Sequence, residues 1–256
     1  MLRLFLLEFW RVLRLQLRYP LEFVSGLLIL TLLFYGLLIG AQHMTGVDSV
    51  GDSLNGIIIG YGTWIIVIAG LNQIPTDITG EAQRGTLESI FLSTYRIDSI
   101  YLARSLAGSL QNLVLTFGVL LLLLWLTGRS VQFPPSAILA VATTIIASIS
   151  LGFFAGGFAL RFKQVGRTLM LAQYPLLFMM MTPFENMSPE ILNLSMLLPV
   201  VPSAVTLREL TTAGKPLGET HIVLAALNAI TYLVVSMFFF GRYVRSVKAN
   251  GLLGGH

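Results

Sequence analysis

Apolar residues run through this chain in long blocks, and the arginines, acids and prolines collect in the short stretches between them. A helix needs roughly 20 apolar residues to cross the hydrocarbon layer of a bilayer. Blocks of that order lie at Phe23 to Ala41, Leu54 to Ile74, Leu106 to Thr127, Ala137 to Leu160, Leu169 to Phe184 and Ile222 to Tyr243, which predicts six transmembrane helices. The fifth is the shortest and is interrupted by Pro175 and Pro183. Ahead of the first block the pattern changes. At about 100° per residue, Arg3, Glu8, Arg11, Arg14 and Arg18 share one arc, with Phe5, Leu6, Phe9, Val12, Leu13 and Leu17 opposite. This predicts an amphipathic helix lying at the membrane surface. Leu4, Leu7 and Leu15 break into the charged arc, so part of it is expected to be covered by protein. Tyr19-Pro20 then turns the chain into the bilayer.

Composition agrees with a lipid solvent. Of 256 residues, 55% are hydrophobic and 11% charged, and the mean hydropathy is +0.81. Ordinary soluble domains carry about 25% charged residues. The net charge of +4 does not point to nucleic acid, because the basic residues flank the apolar blocks instead of forming one face. With the N-terminus cytoplasmic, the inner segments hold most of the arginines and lysines, from Arg3 to Arg18, Arg84 to Arg104, Arg161 to Arg167 and Arg242 to Lys248. The outer segments keep Arg129, Arg208 and Lys215, so both termini are expected in the cytoplasm, in an inner or plasma membrane. Arginines spread along residues 1–18 argue against a cleaved signal peptide.

The expected fold is therefore all-α and integral to the membrane, one domain over residues 1–256. It comprises an interfacial helix (1–20), six spans, a cytoplasmic loop (76–105) and an outer segment (185–221). In the outer segment, Ser188-Pro189-Glu190 reads as a helix start. The apolar run Ile191 to Leu198 is too short to span and is closed by Pro199 and Pro202, which predicts a re-entrant or interfacial helix.

Catalytic machinery is missing from the pattern. Gly214-Lys215-Pro216 is the sole Gly-Lys pair and has Pro where a phosphate-binding loop needs Ser or Thr. His43, His221 and His256 lack metal-ligand spacing, and there are no cysteines. Ser148 and Ser150 lie mid-span without a histidine at similar depth, which disfavours an intramembrane nucleophile. The spans, as bounded above, also lack the buried acids that ion-coupled carriers use. No catalytic residue, metal site or cofactor is expected in this chain.

Amides do fall inside spans. Asn72, Gln73, Gln111, Asn112, Gln173 and Asn228 either hydrogen-bond between helices or line a substrate path, to which Tyr174 and Phe178 of the aromatic, Met-rich fifth span would contribute. Gly36 and Gly40, Gly56 and Gly60, and Ser148, Gly152 and Gly156 form stripes of small residues suited to close helix packing.

The cytoplasmic loop carries the most specific pattern. In Glu81-Ala82-Gln83-Arg84-Gly85-Thr86-Leu87-Glu88-Ser89-Ile90-Phe91, the apolar residues Leu87, Ile90 and Phe91 share a helix face, and Arg84 and Glu88 are spaced to pair. Such a helix either docks into another protein or rests on its own bundle. Glu81-x-x-Arg84-Gly85-Thr86-Leu87-Glu88 after the second span resembles the E-x-x-x-G-T-L-E signature of type-2 permeases of ABC exporters. Leu198-Pro199-Val200-Val201-Pro202 through Leu207-Arg208 is similar to that family's outer proline motif. The likeness covers essentially the whole chain. It departs at Tyr95, where members commonly carry Pro, and at Val201, where they often carry Asn.

The resemblance implies a permease subunit of an ATP-driven exporter of drugs, lipids or glycans. It implies partnership with a second permease copy, or a related permease, and with separate nucleotide-binding subunits that hold ATP and Mg. The segment Gly85 to Arg96, with Glu81 and Arg84, would be the coupling helix: Leu87, Ile90 and Phe91 the docking contacts, and Glu81, Arg84 and Glu88 polar anchors beside Thr86. A stand-alone secondary transporter or channel, or a membrane anchor, is the alternative. Partners are thus an ATPase subunit, another permease and lipid, with no nucleic acid.

Overall fold

A computed structural model describes residues 2–45, 54–162, 165–212 and 219–249. Lys163, Lys215 and His256 lie outside them. The elements, all helical, are α1 (Leu2–Arg18), α2 (Pro20–Thr45), α3 (Leu54–Gln83), α4 (Leu87–Phe91), α5 (Ile97–Thr127), α6 (Ala137–Phe162), α7 (Gly166–Met181), α8 (Pro189–Ser195), α9 (Val201–Thr212) and α10 (Glu219–Ala249). A 3-10 turn, Phe184–Asn186, joins α7 to α8.

Among these, α2, α3, α5, α6 and α10 are long and apolar enough to cross a membrane. The helix over the fifth apolar block, α7, has only 16 residues and contains Pro175. At 1.5 Å per residue it reaches about 24 Å, short of the roughly 30 Å hydrocarbon layer. Five spanning candidates, not six, are thus present among the described residues.

Two spans overrun their expected ends. The second block was expected to stop at Ile74, but Pro75 lies inside α3 and the helix continues to Gln83. Pro75 removes one backbone hydrogen bond, but Ile74 and Ile78 on either side are fully packed against α6, and that burial carries the helix through. Likewise α5 begins at Ile97, with Arg96 as its extended cap residue. Asp77 and Glu81 therefore stand on a helix rather than in a loop.

The centre is the pair α3 and α6. A Cβ on Gly70 would fall on the Ser148 side chain, one on Gly152 on the Gly70 carbonyl, and one on Gly156 on Ile74. The small-residue stripe of α6 is thus internal packing. Gly56 and Gly60 are spent the same way, against Arg208 and the backbone of Met180, whereas a Cβ on Gly36 or Gly40 would meet nothing among the described residues. Around this pair, α5 and α7 flank α3, α10 flanks α6, and α9 wedges among α3, α6 and α10. The outer faces of α2 and α10, with Leu28, Ile29, Leu32, Leu227, Ile230 and Val234 exposed, are left for lipid.

The outer segment forms α8 with Ser188 and Pro189 at its start, as the sequence indicates, but Pro202 does not close it. The chain turns at Val200, whose φ of 71° is unusual for a β-branched residue. Pro202 then occupies the first turn of α9, where its missing N–H costs nothing.

The charged arc of α1 is also rearranged. Arg3, Arg11, Arg14 and Arg18 are exposed, but Glu8 turns inward toward α5. Leu7 and Leu15, expected under protein cover, are 70% and 50% exposed.

Candidate functional site

Gly85 sets the geometry of the loop. Its φ of 70° lies in the left-handed region that glycine adopts freely, and it ends α3 two residues after Gln83. Thr86 then returns toward the helix it has just left: its N–H donates to the Glu81 carbonyl at 3.0 Å, and its hydroxyl donates to the Glu81 carboxylate. The helix that follows, α4, has five residues, with turns and bends from Leu92 to Tyr95. The expected coupling helix from Gly85 to Arg96 is thus a short turn of helix within a longer exposed segment.

Its apolar face looks inward. Phe91 is buried in a cluster with Ile74, Ile78, Tyr101, Phe153 and Phe240, and Leu87 and Ile90 pack against the same cluster. The residues turned outward are Gln83, Arg84, Glu88, Ser89, Leu92 and Tyr95, with Leu92 85% exposed. Because Gly85 breaks the helix, Arg84 and Glu88 do not share a continuous face. Arg84 instead reaches Glu81, at 3.8 Å.

Behind this segment lies an ionic knot that joins four stretches of chain. Arg104 on α5 donates from Nε to Glu8 of α1 and from Nη1 to Glu81 of α3, each at 3.0 Å. All three side chains are 12–14% exposed. Arg11 lies 3.0 Å from the second Glu8 oxygen. Asp77, one turn before Glu81, feels the charges of Arg104, Arg11, Glu8 and Glu81. The Arg104 guanidinium also lies 5.9 Å from the Tyr101 ring centroid. Glu81 is therefore shared among α5, Arg84 and Thr86, and through Arg104 it is linked to Glu8 of α1. Of this knot the sequence indicated Glu81 and Arg84. Glu8 and Arg104 lie 96 positions apart; the sequence placed Glu8 on the charged arc of α1 and Arg104 among the inner arginines, with nothing to pair them.

At the other end of α3, Arg208 of the Leu-Arg pair is 3% exposed. It donates to the Met180 and Thr182 carbonyls at 2.5 and 2.7 Å and to both Glu185 carboxylate oxygens at 3.0 and 3.1 Å. The guanidinium thus closes the C-terminus of α7, where free carbonyls and the helix dipole favour a cation.

The residues expected to line a substrate path fall in three separate places. Gln173 donates to Asn72 at 3.2 Å, joining α7 to α3, with Tyr174 and Phe178 exposed on the outer face of α7. Gln111 and Asn112 of α5 border a groove against α1 and α2. Asn228 of α10 donates to the Met196 and Leu198 carbonyls at 3.2 and 3.3 Å, holding the turn between α8 and α9. Within one chain they do not form a single path.

A family model described as ABC-2 type transporter matches residues 3–210. The chain belongs to the ABC-2 type transporter family. No curated protein matches it. As an ABC-2 membrane component, it is the multi-pass permease part of an ABC transporter and not the ATPase. Permeases of this family bind no cofactor themselves and generally pair with nucleotide-binding subunits that bind ATP. The matched region takes in both charged knots, the α4 segment and the Leu207-Arg208 pair.

Proposed function

We propose that this ABC-2 permease works as an exporter subunit whose α4 segment, residues 83–96, seats on the partner ATPase. The observation that carries this reading is the division of the segment. Leu87, Ile90 and Phe91 fix it to the bundle, while Arg84, Glu88, Leu92 and Tyr95 face away and are exposed among the described residues. Leu92, a large apolar side chain next to charged neighbours beyond the spans, is suited to a protein cleft. Glu81 is the relay, since it holds Thr86 and Arg84 on one side and Arg104 on the other. Closure of an ATPase pair would thereby reach α1, α3 and α5 together.

In this reading the permease pairs with a second copy or a related permease and two ATPase subunits. Both termini are cytoplasmic, and α7 with the turn after it completes a sixth pass. The cargo is lipid-like or an amphipathic drug or glycan, in keeping with a wall of leucines, phenylalanines and amides.

The test is affinity purification of the tagged chain from its native membrane beside Leu92→Asp/Tyr95→Asp, with ATPase activity measured on each eluate. Both positions are exposed, so insertion and folding are retained. An ATPase that travels with the parent and is lost from the variant supports the reading. An ATPase that travels equally with both places the docking surface elsewhere.

A further inference from the structure

Between α1, α2 and α5 lies an open groove of about 430 Å³, within the roughly 300–1,000 Å³ typical of small-molecule sites. It sits where α1 ends and α2 begins, the point at which the chain leaves the surface helix and enters its first apolar span. Aromatic side chains such as Tyr19 favour that interfacial depth. Phe23 and Leu115 supply an apolar flank, and the neighbouring Val24 and Val114 are exposed.

The polar side of the groove is open, with its side chains unpaired within the described residues. Gln16, Gln111 and Asn112, all half-buried, and Glu22 turn into it, and none of these side chains has a hydrogen-bond or ionic partner among the described residues. Glu22 is a carboxylate without a counterion, which disfavours an anionic occupant and favours a cationic one. Four residues away, the Arg18 guanidinium lies 5.8 Å from the ring centroid of Tyr19, itself part of the groove wall. The carboxylate thus lies in the crevice itself, and the guanidinium lies just outside it, against the Tyr19 ring that forms part of its wall.

We infer that this groove seats a bilayer phospholipid with a primary-amine headgroup. The ammonium pairs with Glu22 and the phosphate with Arg18, while the Gln111 and Asn112 amides donate to the glycerol ester carbonyls. The acyl chains leave along Phe23 and Leu115 into the bilayer. A purely anionic headgroup would place its charge beside Glu22, and a water-soluble zwitterion would leave the apolar flank wet. Since α1 also carries Glu8 of the ionic knot, the lipid fills a gap behind the helix that meets Arg104.

The full chain in nanodiscs of equal phosphatidylethanolamine and phosphatidylglycerol, released for native mass spectrometry, tests this. The parent is expected to retain one phosphatidylethanolamine in preference to phosphatidylglycerol. Glu22→Gln, at an exposed position without partners, is expected to fold normally and to lower that retention about tenfold. Gly26→Leu, which fills the groove, is expected to lower retention of both lipids. Equal retention of the two lipids by the parent, or unchanged phosphatidylethanolamine retention in Glu22→Gln, overturns the assignment. If Gly26→Leu fails to insert, Glu22→Gln decides alone. No ATPase enters the assay, so its outcome is separate from that of the docking experiment.

Discussion

The two charged knots sit at opposite ends of α3 and are built to different plans. Around Arg208 the partners are one carboxylate and two backbone carbonyls, and the guanidinium is sealed in protein. Around Arg104 the partners are carboxylates on two other helices, one of which also holds an exposed loop through Thr86 and Arg84. The first is a dead end that ties off a helix terminus. The second is a junction with one limb in solvent. A buried charge with fixed partners gives rigidity and a large penalty when one partner is lost, whereas a junction of this kind can pass displacement from one element to another.

Variants separate these roles, beginning with the largest effect. Arg208→Ala strands Glu185 and the α7 carbonyls, and is expected to lower the unfolding free energy in detergent by about 3–5 kcal/mol. Arg208→Lys recovers only part of this, because a single ammonium does not match a planar fork that spans three acceptors. Thermal or denaturant melts of the two variants check both points. Phe91→Ala empties a packed position beneath α4 and is expected to cost about 3 kcal/mol in the same measurement. Arg104→Gln is expected to cost about 2 kcal/mol, and a double-mutant cycle with Glu8→Gln should show coupling well above zero, since the pair is in direct contact. A cycle without coupling would reduce the junction to two independent surface contacts. Asn72→Leu, which breaks the amide contact between α3 and α7, is expected to cost about 0.6 kcal/mol. Smallest of all, Leu92→Asp should change stability by no more than about 0.5 kcal/mol while removing the ATPase from the purified complex. Loss of stability in that variant would show that Leu92 belongs to the bundle.

The helices were legible because lipid imposes a simple rule on composition, so apolar length alone located α2, α3, α5, α6 and α10. Their ends were not, because the apolar run stops at Ile74 while the burial of Ile74 and Ile78 against α6 carries the helix past Pro75 to Gln83. In α4 the grouping of Leu87, Ile90 and Phe91 on one face was correct as geometry, but periodicity cannot say what that face touches, and the partner is the chain's own core. The pairing of Arg84 with Glu88 assumed an unbroken helix, and one left-handed residue, Gly85, turned Arg84 back to Glu81 instead. Glu8 and Arg104 were invisible as a pair, since nothing local records which helices will meet. Asn228 shows the same limit: an amide in a span signals a hydrogen bond, and only the fold reveals that it holds the turn before α9.

The crossing of α3 and α6 has a mechanical meaning. Side chains between helices act as bearings, because they change rotamer and let one helix slip past another by a fraction of a turn. Where Gly152 faces the Gly70 carbonyl there is no bearing, and slip would drive backbone into backbone. The two helices are in effect one rod, so any displacement of α3 at Glu81 would turn them together and reach the far end of α3, beside Gly56 and Arg208.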